Sequence, residues 1–177
     1  MSAEDERRAL IEEGRLGETA GRIELERRAE FRTVAARLAA QASREIAIFS
    51  HDLDAPVYDQ ADFIQAVKDL VIHSRTARVR VLIRTNDRVQ RDGHRLIELA
   101  RRLPTRIEIR RVNKDYADRT EDYLVVDEAG YLHRQRYTRH EGFADYHAPL
   151  QARQYRELFN TVWDVSEQDS DLRRLYL

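Results

Sequence analysis

The chain has 177 residues, 42% hydrophobic and 8% aromatic, with 31 basic and 32 acidic side chains and a formal net charge of -1. That length fits one domain, or one domain with an extension, and the apolar content suffices for a core. No run of 18 apolar residues is present to span a bilayer, and the absence of cysteine excludes disulfides, thiolate chemistry and the usual structural zinc sites.

Met1-Ser2-Ala3-Glu4-Asp5-Glu6 opens on acid where a secretory signal carries a basic and then an apolar segment, so a bacterial-type cytoplasm is the expected compartment. Residues 1–25 read as a charged, flexible or loosely helical extension, and 26–177 as the domain proper. The extension holds Gly14, Gly17 and Gly21, but no strand precedes them, so they are no dinucleotide-binding fingerprint. Phe31, Val34, Ala35 and Leu38 recur at helical spacing and predict a helix from about Glu26 to Ala42.

Ile46-Ala47-Ile48-Phe49-Ser50 then predicts a buried strand. Asp59 is placed to cap a helix with an apolar stripe of Phe63, Val67, Leu70 and Val71. Val79-Arg80-Val81-Leu82-Ile83 is a second strand. Asp92-Gly93 opens another helix, carrying Leu96, Leu99, Ala100 and Leu103 and stopped at Pro104. Ile107 and Ile109 mark a third strand and Tyr123-Leu124-Val125-Val126 a fourth. Asp127-Glu128-Ala129-Gly130 turns the chain into a fifth, Tyr131 to Tyr137. Pro149 starts a last amphipathic helix with Tyr155, Leu158, Phe159, Val162 and Trp163. This order predicts an α/β fold with a mixed, mainly parallel sheet flanked by helices.

Candidate chemistry is sparse. Between Arg75 and Arg111 stand twelve arginines against four acids, while Lys68 and Lys114 are the chain's lysines. A GC-rich genome explains that bias as well as a need for bidentate anion contacts does. Arg84, Arg88, Arg91, His94 and Arg95 follow a strand and surround a helix start, where free N–H groups favour anions, and they form the candidate anion cradle. His51-Asp52-Leu53-Asp54 follows the first strand, where open α/β sheets place ligand crevices. A haloacid-dehalogenase phosphatase site would use such a D-x-D, but no second paired-Asp motif completes it, and a hydrogen-bonded Asx loop is the simpler account. His133, His140 and His147 share no common face, so neither metal nor cofactor is implied. Tyr123, Tyr131 and Tyr137 read as alternating sheet residues rather than a base-stacking platform.

The element order, Tyr123-Leu124-Val125-Val126-Asp127, and the helix Glu157-Leu158-Phe159-Asn160-Thr161-Val162-Trp163 resemble half of a phospholipase D-like fold. The first of these segments is similar to the end of that family's H-x-K-x-x-x-x-D motif. A further resemblance, over about residues 30–177, is to an uncharacterised bacterial family of degenerate domains of this kind. It is carried by Gly93 to Pro104, Gly130-Tyr131-Leu132-His133-Arg134 and Asp171-Leu172-Arg173-Arg174-Leu175.

With Asp127 registered on the motif's final Asp, the resemblance places Thr120 where the family has its nucleophilic His, and Asp122 where it has its Lys. The chemistry needs an imidazole to attack phosphorus and a cation to hold the phosphate oxygens. Thr120 is a far weaker nucleophile, and Asp122 repels phosphate. No other register restores the motif, because Lys68 and Lys114 follow Ala66 and Val112 at the place of the His. The small-residue stretch that the family carries next is also missing. The expectation is a non-catalytic binding or regulatory domain for a phosphate-bearing ligand or a protein partner. By the resemblance, that partner includes acyltransferase domains. The alternatives are a homodimeric phosphodiesterase or nuclease of altered mechanism, and a plain dimerisation module. A net charge of -1 weakens the case for general nucleic-acid binding, though a local basic stripe could suffice for it.

Overall fold

The computed structural model describes residues 1–173, so Arg174 and Leu175 of the quoted likeness lie outside the described residues. In chain order the elements are α1 (Ala3–Glu13), β1 (Ile23–Leu25), α2 (Arg28–Gln41), β2 (Glu45–Ser50), α3 (Ala55–Tyr58), α4 (Ala61–His73) and β3 (Arg78–Ile83). There follow α5 (Asp87–Asp92), α6 (Arg95–Arg102), β4 (Ile107–Arg111), a 3-10 turn (Lys114–Tyr116), β5 (Asp122–Val126) and β6 (Gly130–Arg134). The last are β7 (Gly142–Asp145), α7 (Pro149–Asp164), β8 (Glu167–Gln168) and α8 (Ser170–Arg173).

The strands form one sheet in the order β1-β7-β6-β5-β2-β3-β4-β8. It is mixed and flanked by helices, as expected. Among the described residues only the β2–β3 and β3–β4 pairings are parallel, joined by helical crossovers, so the sheet is mixed but, contrary to expectation, not mainly parallel. The remaining neighbours pair antiparallel, because hairpins join β5, β6 and β7 and short strands close both edges. Alternation along each strand sends Ile46, Ile48, Val79, Val81 and Leu124 to one face, under α2, α4 and α6. It sends Ala47, Phe49, Leu82, Tyr123 and Val125 to the other, where α7 lays Phe159, Val162 and Trp163.

Several boundaries differ from expectation for local reasons. The first 25 residues are ordered parts of the fold: α1 is capped by Ser2, and β1 pairs with β7 as an edge strand. Three residues of β1 are too few to show a period, yet Ile23 and Leu25 are buried. Tyr146 locks the segment down, its hydroxyl donating to the Ile11 carbonyl (2.9 Å) and its carbonyl accepting from Gly17 N–H (2.8 Å). Asp59 does not cap α4; Gln60 precedes that helix, and the Asp59 carboxylate accepts from Arg95 Nε at 2.6 Å instead. Asp92-Gly93 closes α5 rather than opening α6, with Gly93 at φ 75°. β6 ends at Arg134, and the chain returns as β7 rather than running to Tyr137.

Candidate functional site: a neutralised crevice at the strand ends

The C-terminal ends of β2 and β3 meet the N-terminal end of β5 and the C-terminal end of β6. The pairings that bring them together set Phe49 opposite Tyr123 and Asp122 opposite Arg134. Asp122 therefore opens β5 inside the crevice, beside Ser50, with Arg84 arriving just after β3. Arg84 Nη2 donates to Asp122 Oδ1 at 2.5 Å, and Arg134 Nη2 donates to Oδ2 at 3.0 Å. The His51 backbone N–H adds a third donor at 3.0 Å. Arg134 Nη1 also reaches Asp54 Oδ2 at 3.2 Å, and Arg84 Nη1 donates to the Glu121 carbonyl at 2.8 Å.

The side chains of Arg84, Asp122 and Arg134 are 3%, 4% and 6% exposed. A lone carboxylate this deep would be strongly disfavoured, but two guanidiniums and an amide converge on it with charge-assisted hydrogen bonds. Burial pushes the Asp122 carboxyl up, and Arg84 and Arg134 oppose that. Burial likewise works against the Arg134 guanidinium, yet Asp122 and Asp54 outweigh it and hold it above its ordinary value. The result is a chain of alternating charges, Arg84–Asp122–Arg134–Asp54, with no net charge.

The loop above it is held under tension. Leu53 is fully buried at φ 58°, a left-handed conformation that costs a side-chain-bearing residue about 1–2 kcal/mol. Ser50 Oγ accepts from Leu53 N–H at 3.0 Å, and His94 Nε2–H donates to the Leu53 carbonyl at 3.0 Å. His51 stacks on Tyr137 with ring centroids 3.6 Å apart and planes 7° from parallel. Burial, with Arg84 nearby, lowers the His51 imidazole below its usual value.

The five residues of the expected anion cradle have separate partners. Only Arg84 belongs to the crevice cluster. Arg88 faces Asp52 at 3.4 Å, Arg91 pairs with its neighbour Asp92 at 3.1 Å, and Arg95 is bound to Asp59. His94 is buried, with Nδ1 accepting from Leu96 N–H at 3.1 Å as the cap of α6. Both its ring nitrogens are therefore engaged within the fold.

Thr120 is exposed, and its hydroxyl donates to the Gln135 carbonyl at 3.3 Å. Asp127 sits at the other end of β5, in the tight turn with φ 54°, where its carboxylate accepts from Ser43 N, Ser43 Oγ, Arg44 N and Glu45 N at 2.7–3.0 Å. Its place is structural: it ties the β5–β6 turn to the start of β2.

Sequence reasoning missed Arg134, Ser50, Asp54 and His51 as members of one cluster. His51 and Asp54 stood in a visible motif, but the partner of Asp54 was hidden in the hairpin register. Asp52 and Asp54 are neutralised by different arginines, Arg88 and Arg134. Tyr137 is no sheet residue; it stacks on His51, whereas Tyr123 and Tyr131 pack against Tyr155 on the α7 face. His133 stacks between Phe143 and Tyr155, and His140 lies between Arg28 and Arg134. Among the described residues no group of three or more His, Asp or Glu side chains is placed to hold a metal ion.

The fold is shared with solved structures of low sequence identity. TrmBL2, an archaeal chromatin protein described as showing a novel mode of DNA binding, superposes with a TM-score of 0.62 at 18% identity, covering 84% of this chain and 53% of that one. This chain thus spans about half the length of that protein. Nuc from Salmonella typhimurium, a phospholipase D family member, gives 0.55 at 15% identity, over 78% of this chain and 90% of that one. NucT from Helicobacter pylori gives 0.62 at 7% identity, over 84% and 99%. These likenesses show a phospholipase D-like fold. No curated protein matches the chain in sequence. The family model described as "Domain of unknown function (DUF7931)" matches residues 27–175, and the chain belongs to that family.

Proposed function

We propose that this domain is a non-catalytic binding or regulatory module that keeps a phospholipase D-like fold and has closed its crevice. One observation carries the reading: Asp122, at the position where the resemblance puts the catalytic Lys, is buried between Arg84 and Arg134. A phosphodiester entering there meets a carboxylate, and the cations that would stabilise it are already bound. Thr120, at the place of the nucleophilic His, is a far weaker nucleophile and has its hydroxyl on the Gln135 carbonyl.

Function then rests on surfaces outside the crevice. TrmBL2 supports the idea that this fold serves proteins described by what they bind, and the resemblance to domains that accompany acyltransferases supports a protein partner of that class. A phosphate-bearing ligand is a further option at the exposed Arg88, Arg91 and Arg95, and a second copy of the chain is another partner. The test is hydrolysis of bis(p-nitrophenyl) phosphate by the full chain. No turnover above buffer is expected from the wild type. Turnover that Asp122→Asn abolishes overturns the reading.

One observation favours a second reading, a phosphodiesterase of altered mechanism. His51 sits beside the crevice, half-buried, with burial and then Arg84 lowering its imidazole below the usual value and so favouring the neutral ring. A neutral imidazole is a competent nucleophile toward phosphorus. Hydrolysis that His51→Gln removes would select this reading.

A further inference from the structure

Resting on the non-catalytic reading and going deeper into the same crevice, we infer that the domain contains an oxyanion-binding site whose resident ligand is the chain's own Asp122 carboxylate. Two guanidiniums, the His51 backbone N–H and, at 3.4 Å, the Ser50 hydroxyl aim at the two Asp122 carboxylate oxygens, and they come from the residue after β3, from β6, from the β2–α3 loop and from the end of β2. That donor set is the one by which proteins hold small oxyanions, carboxylate or phosphoryl alike. It is assembled from four separate stretches of chain and almost wholly buried.

Three features say that the array has capacity beyond its occupant. Arg84 Nε is buried and has no hydrogen-bond partner. A void of about 10 Å³, room for about one water, adjoins the pair and is lined by Tyr58, Asp122, Arg134 and apolar neighbours. The walls keep contacts that do not involve Asp122: His94 holds the Leu53 carbonyl, Arg84 the Glu121 carbonyl and Arg134 the Asp54 carboxylate, whereas Ser50 Oγ and His51 N–H donate to Asp122 itself. Cutting the carboxylate away therefore leaves two buried cations around an anion-sized space, with the walls still tied in place. The ligand class is a single small oxyanion, and Asp122 acts as an intramolecular blocker of that site.

The experiment compares wild type, Asp122→Ala and the double variant Asp122→Ala/Arg84→Met by thermal unfolding against sodium formate, inorganic phosphate and chloride. Formate replaces the missing carboxylate, and phosphate asks whether the space also takes a phosphoryl group. A saturable rise in Tm with formate or phosphate, in Asp122→Ala only and absent with chloride, is expected. If Asp122→Ala folds only when one of these oxyanions is supplied, the inference is equally supported. A folded Asp122→Ala with no oxyanion-specific shift overturns it, as does a variant that neither anion allows to fold. Saturable phosphate binding by the wild type that Arg84→Met abolishes also overturns it, because the site would then be open. None of these outcomes depends on phosphodiester turnover, so failure here leaves the non-catalytic reading standing, and turnover by the wild type would leave the anion result standing.

Discussion

Asp122 and Arg134 are register partners on β5 and β6, and their cross-strand ion pair points into the protein rather than out to solvent. Arg134 extends the contact to Asp54, so one guanidinium joins the hairpin to the loop before α3. Removing it leaves two carboxylates, both buried, without their shared cation. Arg134→Met is expected to cost about 3–5 kcal/mol. Urea denaturation measures it; a loss below about 1 kcal/mol would mean that the cluster is a surface ornament.

Asp127 serves the fold at the far end of the same strand. Its carboxylate gathers four donors while its backbone holds a left-handed turn. Asp127→Ala loses both the hydrogen bonds and the tolerance for that conformation, for about 3 kcal/mol. Asn keeps the turn preference and part of the bonding, so Asp127→Asn is expected to cost about 1 kcal/mol. Paired thermal melts check the difference, and equal losses in the two variants would contradict this account of the turn.

How far these features were legible in the sequence depends on what sets them. The central strands and the helices α2, α4, α6 and α7 were readable because each buries a long apolar stripe. β1 and β8 are too short to show a period, and β7 is named by its pairing with β6 rather than by its own residues. The crevice was half readable. Asp122 was marked as the wrong residue for phosphate, and His51 to Asp54 as a loop in the right place. That Arg84 and Arg134 would converge on Asp122 was hidden, because it depends on hairpin register and on where β3 ends. Arg88, Arg91 and Arg95 were gathered by proximity in sequence, while in space each has an acid of its own.

His94 makes the stability of the domain sensitive to mild acid. Its two hydrogen bonds require the neutral ring with the proton on Nε2, and burial lowers its pKa from the ordinary 6.5. The unfolded chain takes up the proton first. The stabilisation is complete above about pH 6.5 and is lost as pH falls through the folded value. His94→Asn retains a capping side chain and removes the titration. A flatter acid limb in its stability profile than in that of the wild type is expected; superimposable limbs would contradict it.

Gly14 tests whether the first 25 residues belong to the fold. A Cβ there would lie 2.1 Å from the Tyr146 ring, which is fully buried and cannot yield cheaply. Gly14→Ala should loosen α1 and cost about 1–3 kcal/mol. Faster amide exchange at Ile11 and Ile23 is the expected companion. Unchanged exchange would return this segment to the status of an appendage.

The central claim, that the crevice is filled by an internal ion pair, is tested most directly by a double-mutant cycle on Arg84→Met and Asp122→Asn, read as unfolding free energies. The account predicts strong coupling, about 2–3 kcal/mol, because each single change strands its partner's charge or hydrogen bonds in the interior. Additivity to within about 0.5 kcal/mol would contradict it.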